Sequence, residues 1–285
     1  MQIGSLQVKN TKNLLSPDTR ICALIYAPAK FGKTKFASSL DAFTRKRRNK
    51  PTLIIASEAA EGGGTMTLND QEVDYVMPTS WNEMETLLAS LATDEHYGGV
   101  ILDNVTDYAS RIVKPHVLSF PSKERVAGPR VIGVLQRSDY QVMGECVRTQ
   151  LNRLVNLTNE NTQAKYRKDL IVTALQKEKN DESGNLIGIV PDLPGSLAEA
   201  VTAMFNSVLS LNVKNSVVKQ PDGSTTRVPG RVLISAADGM RRTDDRTGIF
   251  KSFHERLITD PSGNPIGINE IFDAYAPKMG ESPKP

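Results

Sequence analysis

Residues 21–40, ICALIYAPAKFGKTKFASSL, decide how the rest of the chain is read. The apolar run 21–26 predicts a buried strand, and a helical pattern starts at Gly32-Lys33-Thr34. The loop between them fits the phosphate-cradling pattern G-x-x-x-x-G-K-[ST], with Ala27 at the first glycine position. Successive backbone N–H groups over 30–34 can point at phosphate oxygens, and a helix N-terminus adds partial positive charge. Lys33 is expected to reach the β- and γ-phosphates of ATP, and the Thr34 hydroxyl to ligate Mg²⁺. The predicted cradle comprises Ala27, Pro28, Ala29, Lys30, Phe31, Gly32, Lys33, Thr34 and Lys35. A chance Gly-Lys-Thr in a basic loop is the bland alternative, but it leaves the flanking strand and helix patterns unexplained. Ala27 departs from the pattern, because a residue with a Cβ has a narrower φ/ψ range than glycine.

The chain of 285 residues is 39% hydrophobic and 24% charged, which suits one α/β domain with embellishments. A net charge of +3 and a pI near 8.7 permit a nucleic-acid partner without demanding one. Two cysteines, Cys22 and Cys146, argue against a disulfide framework and suit a reducing cytosol. No apolar run reaches 18 residues and no signal-peptide pattern opens the chain, so cytoplasmic residence without a membrane is expected. His96, His116 and His254 lack metal-ligand spacing with the cysteines.

Beyond the loop, Phe36, Leu40 and Phe43 form one apolar helix face, and the helix ends in the basic run 45–50 before Pro51. That run suits a helix C-terminus or a DNA patch. Residues 51–57, PTLIIAS, predict a second buried strand that delivers Glu58, and Gly62-Gly63-Gly64 then breaks the chain. A short strand is expected over 73–77 and a helix over 81–92, with Ser80 as N-cap and Glu83 completing a capping box. Residues 99–103, GVILD, predict a third buried strand ending in Asp103. Strands alternating with helices and ending in acids point to a parallel sheet between helices, with its site beyond the strands' carboxyl ends.

The second half reads less cleanly. Residues 114–140 are expected to be irregular and carry Lys114, Lys123, Arg125, Arg130 and Arg137. A long helix is predicted over 139–157, with Val142, Cys146, Leu151, Leu154, Val155 and Leu157 as its apolar set. Residues 169–175, DLIVTAL, predict a fourth strand, followed by a loop over 180–195 and a helix over 196–205. Residues 207–213 and 231–236 read as paired strands with a tip at Pro221-Asp222-Gly223. In the Pro- and Gly-rich segment 261–285, Ile271, Phe272 and Tyr275 are expected to pack on their own chain.

Asp103, after four apolar residues, fits the second magnesium-site element of P-loop enzymes. The next residue is Asn104, where many ring ATPases place a water-activating glutamate, so Glu58 becomes the general-base candidate. This order is similar to that of RecA-like recombinases. The chain more closely resembles phage-encoded RecA-like P-loop ATPases of the Sak-type single-strand annealing and recombination group. The resemblance rests on YAPAKFGKT, LIIASEA, GGVILDNVTDYA, LIVTALQKEK, PDLPGSLAEAV and ADGMRRTDDRTG, in order over 21–250.

The resemblance implies a RecA-like core over 21–258, between an N-terminal segment 1–20 and a tail 259–285, with an antiparallel edge hairpin. It implies Glu58 as catalytic base and Gln176 as γ-phosphate sensor, the latter standing beside the plain reading of a polar strand end. It also implies a trans-acting arginine, Arg246 or then Arg242, where a solvated charge run is the other reading. Single-stranded-DNA contact is implied for Lys123, Arg125, Arg130, Lys177 and Lys179. The expected protein is an Mg²⁺-dependent, DNA-stimulated ATPase of phage recombination or annealing. It would act in the host cytoplasm as a ring or filament, with a single-strand-binding protein as a further partner. A helicase-loader-like AAA+ remodelling ATPase and a nucleotide-gated scaffold are the alternatives.

Overall fold

A computed structural model describes residues 2–3, 6–7, 19–58, 63–69, 71–120, 135–194, 197–219, 224–248, 255–258, 267–268 and 271. Two short strands, β1 (Gln2–Ile3) and β2 (Leu6–Gln7), pair with each other. The main body then begins with β3 (Cys22–Ala27), α1 (Lys33–Ser38), α2 (Leu40–Arg48) and β4 (Thr52–Ala56). After a 3-10 turn at Gly63–Leu68 come β5 (Asp74–Val76), α3 (Trp81–Leu91) and β6 (Gly99–Asp103). A helical stretch follows as α4 (Val105–Tyr108), a π turn (Ala109–Val113) and α5 (Lys114–Ser119), and then α6 (Arg137–Asn156). The chain continues through β7 (Asp169–Asn180), β8 (Leu186–Pro191), α7 (Leu197–Thr202), β9 (Ser207–Lys219), β10 (Thr225–Ile234), β11 (Asp244–Asp245) and β12 (Glu255–Leu257).

These strands form a 10-stranded sheet in the order β12-β10-β9-β3-β7-β6-β4-β5, with β8 added to β7 and β11 to β9. From β9 to β5 every neighbouring pair is parallel, whereas β10 and β12 extend the β9 edge antiparallel. This is the expected α/β architecture of a P-loop NTPase core, a mainly parallel sheet between helices with an antiparallel edge. Strands buried on both faces need continuous apolar runs, which LIYA, TLIIA and VIL supply.

Side-chain alternation divides the core in two. Leu24, Tyr26, Leu102 and Val172 face α3 to α7, while Ile25, Ala27, Ile101 and Ile171 face α1 and α2. Phe36, Leu40 and Phe43 are buried on the α1–α2 face as expected, although the helix breaks at Ser39, whose hydroxyl bonds the Phe36 carbonyl at 2.6 Å. Ile268 and Ile271 of the C-terminal segment complete this face, and the Ile268 N–H reaches Ser39 Oγ at 2.7 Å. The own-chain packing expected of Ile271 is therefore present; Phe272 and Tyr275 lie outside the described residues.

Several expectations need correction. The irregular stretch expected from residue 114 begins instead as α5, because Pro115 occupies the first helical turn, where its missing N–H is no loss. Helix α6 buries Met143, Val147, Gln150, Leu151 and Leu154, whereas Val142 is exposed, so its inner face is rotated from the predicted set. Residues 180–195 are not simply a loop. β7 runs on to Asn180 and pairs antiparallel with β8 around a turn in which Asp181 Oδ1 accepts the Ser183 and Asn185 N–H groups. Gly184, at φ 83°, supplies the left-handed residue that this turn requires. β9 and β10 are longer than predicted, and their tip at 220–223 lies outside the described residues.

Candidate active site

The backbone of the P-loop explains its odd first residue. Ala27 is the last residue of β3, extended and paired with Leu175 of β7, so nothing there needs glycine. The left-handed positions are instead Lys30, at φ 65°, and Gly32, at φ 87°. Gly32 precedes α1 and is also approached closely: a Cβ on it would lie 2.8 Å from Nε of Arg231.

Lys33 curls back over the loop, its Nζ donating to the carbonyls of Ala27 at 3.1 Å and Pro28 at 2.8 Å. Burial pushes its pKa down, while Asp103, Glu58 and Asp107 act in the opposite direction. Thr34 donates its hydroxyl to Asp103 Oδ2 at 2.6 Å, and Thr173 of β7 donates to Asp103 Oδ1. Asp103 is thus fixed at both oxygens at the end of β6, two strands away from β3 with β7 between them.

Glu58 follows β4 by one intervening residue, Ser57, and its carboxylate accepts the Gly64 N–H. Gly64 marks where the acids meet. A Cβ there would stand 2.5 Å from Thr34 Oγ1 and 3.3 Å from both Asp103 Oδ2 and Glu58 Oε1. Burial, then the charge of Asp103, raises the Glu58 pKa above its ordinary value. Asn104 is committed elsewhere: its Oδ1 accepts the Asp107 N–H at 2.9 Å as the N-cap of α4, and its Nδ2 donates to Asp107 Oδ2 at 2.7 Å.

These groups border a cleft of about 490 Å³ lined by Ala29, Lys30, Gly32, Lys33, Thr34, Lys35, Glu58, Gly64, Thr67, Leu175 and Arg231. Hard oxygen donors from Thr34 and Asp103 beside Glu58 fit a magnesium ion, and a buried lysine on a loop of turned-in backbone fits a polyphosphate.

Not every predicted residue joins this cleft. Leu175 lines it, but Gln176 is one residue further and faces the other side of the strand, opposite Pro191 of β8. Arg242 pairs with Glu199 of α7 at 2.8 Å. Arg246 lies at the amino edge of the sheet: its N–H bonds the Asn206 carbonyl at 2.8 Å, and the Asn206 N–H bonds the Cys22 carbonyl at 3.0 Å. The length of β3, about 20 Å by its rise, separates it from its own P-loop. Lys177 donates to the Leu193 carbonyl at 2.5 Å, and Lys179 stands exposed on the β7–β8 hairpin. Lys123, Arg125 and Arg130 lie outside the described residues.

The basic run after Phe43 is largely structural. Arg48 reaches buried Asp169 at 3.2 Å, and Arg45 pairs with Asp41 at 2.6 Å. Sequence reading missed Thr173, Gly64 and Arg231. A hydroxyl inside the apolar run DLIVTAL was a signal for the first, and the triple glycine for the second. Nothing local marks Arg231, which is brought in by β10, about 200 residues away in sequence from Phe31.

Residues 19–247 match the model of a family described as AAA domain. The chain belongs to that AAA domain family. Its core is accordingly that of an AAA-type, nucleotide-binding P-loop ATPase, and the match spans the P-loop, Glu58, Asp103 and the Arg242–Arg246 run. No curated protein matches the chain. Among the described residues no helix is long and apolar enough to cross a membrane.

Proposed function

We propose that this AAA-domain protein is an Mg²⁺-dependent ATPase stimulated by single-stranded DNA, acting in phage DNA recombination or strand annealing. The observation that carries the reading is the meeting of Glu58, Asp103 and Thr34 around Gly64, while Asn104 is held as a helix cap. A glutamate from the strand after the P-loop helices, rather than one beside Asp103, is the arrangement of the RecA-like recombinases that the sequence resembles. The same observation weighs against a helicase-loader-like remodelling enzyme whose base would occupy position 104.

Lys33, released from the Ala27 and Pro28 carbonyls, would hold the β- and γ-phosphates. Thr34 and Asp103 would hold magnesium, which supplies charge neutralisation on the phosphate oxygens. Glu58, whose pKa burial and then Asp103 raise, would accept the proton of an attacking water. Arg246, about the length of β3 away from its own cleft, would act on a neighbour's in a ring or filament. Gln176, on the hairpin side of Leu175, would couple the cleft to the β7–β8 arm.

That arm carries Lys177 and Lys179 past the carboxyl edge and is the DNA contact we favour, through phosphates rather than stacked bases. ATP turnover should rise on adding single-stranded DNA, and DNA affinity should fall steeply with salt and further in Lys179→Ala. Turnover indifferent to DNA, with nucleotide-dependent assembly intact, would instead favour a nucleotide-gated scaffold.

A further inference from the structure

We propose that Arg231 binds the phosphate chain of the nucleotide in cis, from the side of the P-loop opposite Glu58; this rests on the ATPase reading above. Arg231 pairs with Val213 of β9, three residues beyond Ser210, whose partner Tyr26 is next to the end of β3. The antiparallel edge therefore carries Arg231 past the carboxyl end of the sheet, level with the phosphate loop. Its side chain is two residues before that of Leu233, which packs on the α1–α2 face, so both lie on the same face of the strand as α1.

The loop and the arginine are fitted to each other. Arg231 Nε donates to the Phe31 carbonyl at 3.2 Å, which orients the planar guanidinium beside the loop. Gly32 lacks the Cβ that would collide with Nε at 2.8 Å and would crowd Cδ and Cζ at 3.4 Å. The backbone of Arg231 is fixed in turn, its carbonyl accepting the Ile258 N–H at 2.8 Å. Lateral order in the sheet then sets its role. β10 lies beyond β9 on one side of β3, whereas β6 and β4, which deliver Asp103 and Glu58, lie beyond β7 on the other. The reacting end of the triphosphate faces the acids. Arg231 meets the phosphates nearer the nucleoside, where its contact is equal in the ground and transition states. Such a contact changes KM and leaves kcat largely alone.

The test is direct binding of fluorescent ATP and ADP analogues to the full chain, with inorganic tripolyphosphate as a base-free competitor. In Arg231→Ala, affinity for both nucleotides and for tripolyphosphate should weaken by the same factor, about tenfold or more for a lost charge-assisted contact. KM should rise with it while kcat changes much less, and Arg231→Lys should recover part of the affinity. Unchanged affinity, a loss confined to kcat, or a loss for the nucleotides without one for tripolyphosphate would overturn the assignment. If Arg231→Ala also melts earlier, Arg231→Lys decides: recovered affinity supports the phosphate contact, and no recovery rejects it. A wild-type chain that binds neither nucleotide would refute the ATPase reading itself; binding abolished by Lys33→Ala but untouched by Arg231→Ala refutes only this proposal.

Discussion

Glu58 holds its proton more tightly than an ordinary carboxylate because burial and the neighbouring Asp103 disfavour its charge. A general base works only when deprotonated, so with Glu58 in the proposed role the acid limb of ATP turnover should lie above the ordinary glutamate value of about 4.3. A pH–rate profile under saturating ATP checks this, with turnover falling as pH drops through the raised value. The folding linkage has a matching sign. The native state binds the Glu58 proton more tightly than the unfolded chain does, so the ionised carboxylate costs stability above the raised pKa. That cost disappears as the pH falls through it. At this scale the sequence was informative where chemistry is local: Lys33, Thr34, Glu58 and Asp103 meet as expected. Arg231 and Thr173 were not legible, since their contacts with Phe31 and Asp103 exist only once distant strands are side by side.

At the scale of elements, β7 is the member with two functions. Its first half, 169–175, is an apolar central strand between β3 and β6, and its second half projects as the polar arm of a hairpin with β8. The strand was readable from DLIVTAL. The arm was not, because QKEK has no inner face to alternate toward and its partner strand is specified mainly by the Asp181–Gly184 turn. The amino end of β7 is anchored by Asp169, fully buried, whose Oδ1 accepts the Ile21 N–H at 2.7 Å and whose Oδ2 faces Arg48 at 3.2 Å and Arg20 at 3.7 Å. Removing one partner from such a buried cluster leaves uncompensated charge, so Asp169→Ala should cost about 3–5 kcal/mol of stability. Urea unfolding would read the loss. Asp169 lies at the edge opposite the cleft, so nucleotide affinity of the folded variant should remain near wild type.

For the whole molecule, the sheet order explains why the cleft forms where it does. β7 between β3 and β6 brings Thr173 against Asp103 and Leu175 into the cleft, while β4 delivers Glu58 from one side and β10 delivers Arg231 from the other. Alternating strands and helices announced the sheet, and the acids announced its active edge. The lateral order was not legible, because each parallel crossover leaves the same local pattern whichever strand it joins. Beyond 258, Ile268 and Ile271 are buried in the α1–α2 core. The central claim is that this cleft hydrolyses ATP with Glu58 as its base. Single-turnover hydrolysis by Glu58→Gln, with ATP binding measured alongside, tests it most directly. Binding should stay near wild type while hydrolysis falls by about 10²–10⁴-fold, the range for loss of a general base. Hydrolysis by Glu58→Gln at the wild-type rate would contradict it.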